Sequence, residues 1–137
     1  QSDAAKAVAQ LARAIRPGGI IAFHEHDMIA INDNRTALPL HDQVRDWLRE
    51  MLRCEGANLH MGFELHSTLS AAGLAVEQVR AEANVLTPTA DYPVAAIVRS
   101  VLPRLLQHGI ATETEIDVTT LDERLAIERR ETSATCL

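Results

Sequence analysis

Aromatic side chains are scarce in this chain of 137 residues: two Phe, one Trp and one Tyr make up 3% of it. Proteins that bind single-stranded nucleic acids stack the bases on such rings, so little is available for that mode of binding. Basic residues are also few, since 13 Lys and Arg stand against 19 Asp and Glu, a formal net charge of -6. Because nucleic-acid phosphates require a basic surface and no basic cluster reverses this balance, we predict no nucleic-acid partner.

Long hydrophobic runs are missing as well. No apolar stretch approaches the roughly 18 residues that a membrane-spanning helix needs, and the N-terminal residues form an amphipathic pattern rather than a targeting signal. Cysteine occurs only at Cys54 and Cys136, without the spacing of metal ligands. Two distant cysteines favour reduced thiols in a cytosolic protein. We therefore predict a cytoplasmic protein without a membrane partner.

The remaining composition is that of an ordinary folded domain, with 47% hydrophobic and 23% charged residues. Gln1 is not an initiator methionine, and residues 2–16 already have the pattern of a helix. We therefore expect the chain to be part of a longer protein. Within a single partial domain, residues 1–90 are predicted to form sheet and helices, and residues 91–137 a helical insertion or cap.

Apolar spacing and turn residues predict five or six helices and two strands. The helices cover 2–16, 42–55, a segment that ends at Gly73, 94–108 and 120–130. The strands cover residues 20–25, which begin with a fully apolar run after a Pro-Gly-Gly turn, and residues 75–86, where apolar and polar residues alternate. The sequence thus predicts an α/β fold in which strand 20–25 is central and strand 75–86 is nearer the edge.

Several helix ends carry recognisable signals. Thr112 with Glu115, and Thr120 with Glu123, have the Thr-x-x-Glu pattern of a capping box, in which side chains bond the unpaired amides at a helix start. Gly73 is placed to end a helix in the left-handed conformation that glycine adopts without strain.

The order of these elements resembles the C-terminal half of a Rossmann-like, S-adenosylmethionine-dependent methyltransferase of the small-molecule, quinone-biosynthesis type. Pro17-Gly18-Gly19 before the first strand and Ala72-Gly73-Leu74 before the second carry the resemblance, which covers residues 2–86. It implies methyl transfer from S-adenosylmethionine to a small organic acceptor. The family's glycine-rich cofactor turn is absent from this sequence, so the resemblance assigns no cofactor-binding residues, and the fragment alone is expected to be inactive.

The densest group of titratable residues, His24-Glu25-His26-Asp27, follows the first predicted strand, where ligands bind in such sheets. Glu25 and His24 are predicted as catalytic groups, since methyl transfer to a hydroxyl or an acidic carbon needs a base. His24, His26 and Asp27 are predicted to bind substrate, together with Gly62, where the backbone allows close approach. The alternative is that these polar residues are solvated at the end of a strand.

Three other functions each fit part of the sequence. A metal site could begin at His24-x-His26, with further ligands from His41, His60, His66 and Asp27, but no spacing matches a known site and we predict no metal. A nicotinamide-dependent oxidoreductase fragment should carry a Tyr-x-x-x-Lys pair, which is absent here. A helical interaction module would bind a partner through the apolar faces of helices 94–108 and 42–53. A homo-oligomer is compatible with the sequence.

Overall fold

A computed structural model describes residues 3–28, 37–82, 87, 89–90 and 93–132 of the chain. These residues form α-helices and no β-strand. The helices are α1 (Asp3–Ala14), α2 (Pro39–Cys54), α3 (Met61–Ala71), α4 (Val94–Gln107), α5 (Glu113–Ile116) and α6 (Leu121–Thr132). The predicted α/β fold, a partial Rossmann-like domain, is therefore wrong: the described part of the chain is all-α.

Both predicted strands are irregular where the structure describes them. Residues 20–25 and 75–82 are neither helix nor strand, and residues 83–86 of the second lie outside the described residues. An apolar run, or alternation of apolar with polar residues, indicates that a segment suits an extended conformation with one side covered by other residues. A strand also needs a neighbour whose main chain completes the hydrogen-bond ladder, and neither segment finds one among the described residues.

The chain divides into two compact units. Unit 1 comprises Gln1–Ala30 and Leu59–Glu82, and unit 2 comprises Ile31–Asn58 and Ala83–Leu137. In unit 1, α1 packs against α3. Val8 of α1 and Leu59 are its buried apolar residues within the described part, and α3 has none. Unit 1 thus has a small core for its size.

Unit 2 holds a continuous hydrophobic core among its helices. Helix α4 packs against α2 and α6, and α2 also contacts α6. The core is made of side chains from α2, α4, α5 and α6 and from the turn before α5: Val44, Trp47, Leu48, Met51, Val94, Ala95, Val98, Leu105, Ala111, Ile116, Leu121 and Leu125. The apolar faces of α2 and α4, which the interaction-module hypothesis assigned to a partner, are therefore buried inside unit 2.

The helix-end signals are confirmed in part. The Thr112–Glu115 capping box starts α5, with both of its hydrogen bonds present. Thr120 instead donates its hydroxyl to Oδ2 of Asp117, 2.5 Å away, so the second predicted box is not formed as expected. Gly73 ends α3 with φ +81°, in the conformation predicted for it.

Candidate functional site

The predicted site residues 24–27 lie on the irregular segment that precedes Met28 in unit 1. His24 and His26 are exposed, and their ring centroids lie 5.8 Å apart with the planes tilted by 37°. Residues two apart share a side of an extended segment, which is the arrangement predicted for this pair. Glu25 is exposed too, and its Oε1 accepts the N–H of His26 at 3.1 Å.

Asp27 and Gly62 come together at the start of α3. The N–H of Met28 donates to the carbonyl of Leu59 at 3.0 Å, which holds the segment beside the helix. A Cβ atom built on Gly62 would lie 3.1 Å from both Cβ and the backbone N of Asp27. Such contacts are tighter than side chains normally make, so glycine at position 62 allows the chain to pass against the first turn of α3.

His60 adds a second titratable group to the corner that Asp27 and Gly62 form at the start of α3. Its Nδ1 lies 3.7 Å from Oδ2 of Asp27, and the side chains are 56% and 10% exposed, respectively. An ion pair exists when His60 is protonated. A carboxylate next to the start of a helix is also favoured by the partial positive charge of the helix N-terminus. These contacts therefore fix the position of Asp27, whereas His24, Glu25 and His26 are exposed.

The corner offers exposed imidazoles and a largely covered carboxylate, which suit hydrogen bonding to a partner or ligand. Within the ranges that the structure describes, no three His, Cys, Asp or Glu side chains are grouped so that they could hold a metal ion. His66 is exposed on α3, and His41 belongs to unit 2. The catalytic roles of His24 and Glu25 and the substrate-binding roles of the other predicted residues stay predictions.

A second polar cluster lies in unit 2, where Glu128 of α6 meets the first turn of α2. Oε1 of Glu128 accepts the N–H of Leu40 at 2.8 Å, and Oε2 accepts the N–H of His41 at 3.1 Å. The same Oε2 lies 2.7 Å from Nδ1 of the His41 ring, which is only 2% exposed. Glu128 thus takes the place of a local cap for α2, because the residue before the helix, Leu38, gives no side-chain cap.

The charge state of His41 follows from its surroundings. Burial is the largest influence and lowers the pKa of the ring below its ordinary value of 6.5, which favours the neutral form. The hydrogen bond to Glu128 and its negative charge raise the pKa, whereas the charges of Arg129 and Arg45 lower it. The neutral ring then donates its Nδ1–H to the carboxylate.

No sequence pattern indicates this cluster. The apolar spacing predicts the start of α2 at Asp42, three positions after the observed first residue, Pro39. Proline is common at the first position of a helix, so Pro39 was a usable signal for the true start. The partner, Glu128, is 87 residues from His41 along the chain, and no sequence pattern connects them.

A cleft of about 400 Å³ lies in unit 2 beside this cluster. The first turn of α2 contributes Pro39 and Leu40 to its wall, and α6 contributes Arg124, Ile127 and Glu128. The wall therefore combines apolar side chains with the carboxylate that joins the two helices.

We compared the chain with protein-family models, with curated proteins and with solved structures, and none of them matches it. The predicted membership of the methyltransferase family is wrong, because the described residues contain no sheet and no family model supports it. None of the described helices is long and apolar enough to cross a membrane.

Proposed function

We propose that the chain is a protein-interaction module that binds an extended segment of a partner polypeptide along residues 20–26 of unit 1, here called the docking segment. One observation carries the proposal. Ile20 is 83% exposed, and the main chain of the docking segment makes no backbone hydrogen bond to any described residue. An exposed apolar residue on an unpaired main chain is a favourable place for another chain to pair.

Backbone hydrogen bonds are present on either side of the docking segment. The N–H of Gly19 donates to Arg16 at 2.8 Å, and that of Met28 donates to Leu59 at 3.0 Å. Between them, the amide of His26 has the Glu25 side chain as its partner. The other amides and carbonyls of the docking segment have no backbone partner among the described residues, which leaves them available to a partner strand.

The side chains of the docking segment also suit pairing. Exposed residues alternate with half-buried ones from Ile20 to Phe23, the pattern of an extended chain with one covered side. Ile21 and Phe23 are the half-buried members, and Ile20 and Ala22 are exposed. A β-branched residue on the open side favours an extended partner.

The other irregular segment of unit 1, residues 75–82, is a poorer candidate. Its main chain makes no backbone hydrogen bond to another described residue either, and Val79 is 65% exposed. However, it carries Glu77, Arg80 and Glu82, and Nη2 of Arg80 lies 3.6 Å from Oε1 of Glu82. Charged side chains protect exposed segments against pairing with another chain. The docking segment has no acidic or basic residue before His24, which is why we assign the partner to it.

Two finer expectations accompany this proposal. A cytoplasmic location is supported by the exposed free thiol of Cys54, since exposed thiols persist in a reducing compartment. Methyl transfer to a small molecule stays a prediction, and no contact of His24 or Glu25 in the described residues adds support to it.

The test uses a phage-displayed library of random peptides of about six residues, a typical strand length. We expect selected peptides to alternate β-branched and polar residues and to lose binding when their amides are N-methylated, because pairing uses main-chain hydrogen bonds. Ile20→Asp should weaken the selected peptides at least about tenfold, or about 1.4 kcal/mol. The matched control is Val79→Asp, which puts the same charge on the other irregular segment and should leave binding unchanged.

Two outcomes would contradict the proposal. One is equal affinity of the peptides for the unaltered chain and for Ile20→Asp. The other is an equal loss in Val79→Asp, which would mean that apolar exposure anywhere in unit 1 is enough. Far-UV circular dichroism of both variants should match the unaltered chain, because both positions lie outside the helices.

A further inference from the structure

We propose that the contact between Glu128 of α6 and the first turn of α2 is an acid-sensitive clamp, which opens when the His41 ring takes up a proton. The device lies within unit 2 and does not depend on the docking segment. Opening would separate the two walls of the neighbouring cleft, which the first turn of α2 and helix α6 form.

The clamp depends on one carboxylate. Glu128 accepts the amides of Leu40 and His41 and the ring N–H of His41. The first amides of a helix have no partner within the helix, and Pro39 has no N–H to donate. Since Leu38 provides no side-chain cap, release of Glu128 removes the acceptors of both amides together.

Protonation weakens this contact because the His41 ring is buried. The ring is 2% exposed, and a proton added to it would place a full charge in that buried position. The charged groups that face it are Glu128 and Arg129 from α6 and Arg45 from α2. Glu128 favours the added charge and the two arginines oppose it. The protonated ring is therefore better accommodated in water, with the first turn of α2 turned away from α6.

The direction of the pH effect follows from linkage. The closed contact holds the pKa of His41 below its ordinary 6.5, chiefly through burial. Between those two pKa values the open state binds more protons than the closed one, so a falling pH favours opening. The contact is fully closed above the ordinary value and weakens as the pH falls through the pKa of the closed state.

Opening is confined to the start of the helix because the rest of α2 is anchored separately. Val44, Trp47 and Met51 belong to the buried core that α2 shares with α4 and α6. Leu38, just before the helix, is fully buried and limits how far the first turn can move. The core is therefore expected to persist while the two amides lose their acceptor.

Amide hydrogen exchange by NMR at about pH 8 and about pH 5, on either side of the ordinary histidine pKa, tests the clamp. After correction for intrinsic exchange, protection of the Leu40 and His41 amides should fall at least tenfold relative to that of Val98. His41→Phe should remove this pH dependence for Leu40. The control is His108→Gln, another histidine of unit 2, 3.5 Å from Glu55, which should leave it unchanged.

A measurement on the unaltered chain keeps the test valid if His41→Phe does not fold. The NMR titration of the His41 ring should have its midpoint below 6.5, and the loss of protection should follow the same midpoint. Retained protection of both amides with the ring protonated would overturn the proposal. Loss of protection at a pH unrelated to the ring titration would also overturn it.

Discussion

The core of unit 2 predicts a large effect for Leu105→Ala. Leu105 of α4 is fully buried within the cluster that α4 forms with α2 and α6. Truncating a buried leucine to alanine costs about 2–5 kcal/mol, from the lost burial and the cavity left behind. We expect about 3 kcal/mol here, a large share of the about 5–15 kcal/mol that stabilises a typical domain.

The assay is urea unfolding followed by the fluorescence of Trp47. This residue is the single tryptophan of the chain and is buried in the same core, so its signal reports on unit 2 alone. With a denaturant slope of about 1.5 kcal/mol per molar, the expected loss lowers the midpoint by about 2 M.

The matched control lies on the same helix. Ile97→Ala removes a side chain that is 46% exposed and replaces it with a better helix former. Its cost should stay below about 1 kcal/mol, as for most surface substitutions. Equal midpoints for the two variants would refute the assignment of Leu105 to the core and the packing of α4 described above.

Three further predictions concern other parts of the chain. Unit 1 buries few apolar side chains, so unfolding followed by far-UV circular dichroism should begin at a lower urea concentration than unfolding followed by Trp47, and coincident curves would argue for one cooperative unit. Thr112→Ala removes the capping box of α5 and should cost about 1 kcal/mol in the Trp47 assay, whereas Thr112→Ser should cost less. Gly62→Ala should displace Asp27, because its methyl group would meet backbone atoms of residue 27, and NMR should show shifted amide signals for residues 27 and 28. Unchanged amide signals there would contradict the close approach.

The helices could be predicted because their signals are local. Apolar residues spaced three and four apart, with Pro93 before α4 and Gly73 after α3, mark helices within a few residues of their observed ends. The start of α2 was placed late because its cap comes from Glu128, far away in the sequence.

The strands could not be predicted correctly because pairing is not a local property. Ile20–Phe23 has the composition of a buried strand, yet a strand exists only where a second chain segment completes its hydrogen bonds. The same residues, without that neighbour in the described part, form the docking segment.

Two residues that are predicted to bind substrate, Asp27 and Gly62, lie close together for a reason that the sequence does not indicate. The sequence predicts Asp27 at the end of a strand and Gly62 near a helix start, and the two meet because glycine lets the chain pass against the first turn of α3. The sequence offers His60 as a metal ligand or as part of a substrate-lining stretch around Gly62, and it does not indicate that the ring lies beside Asp27.

The central claim is that the main chain of the docking segment has no hydrogen-bond partner among the described residues and stays open in the isolated chain. Amide hydrogen exchange measured by NMR tests this claim most directly. The account predicts that the amides of residues 20–24 exchange close to the rate of an unstructured peptide, while that of Val98 is strongly protected. Protected amides in residues 20–24, with cross-strand nuclear Overhauser effects to residues 75–82, would contradict it.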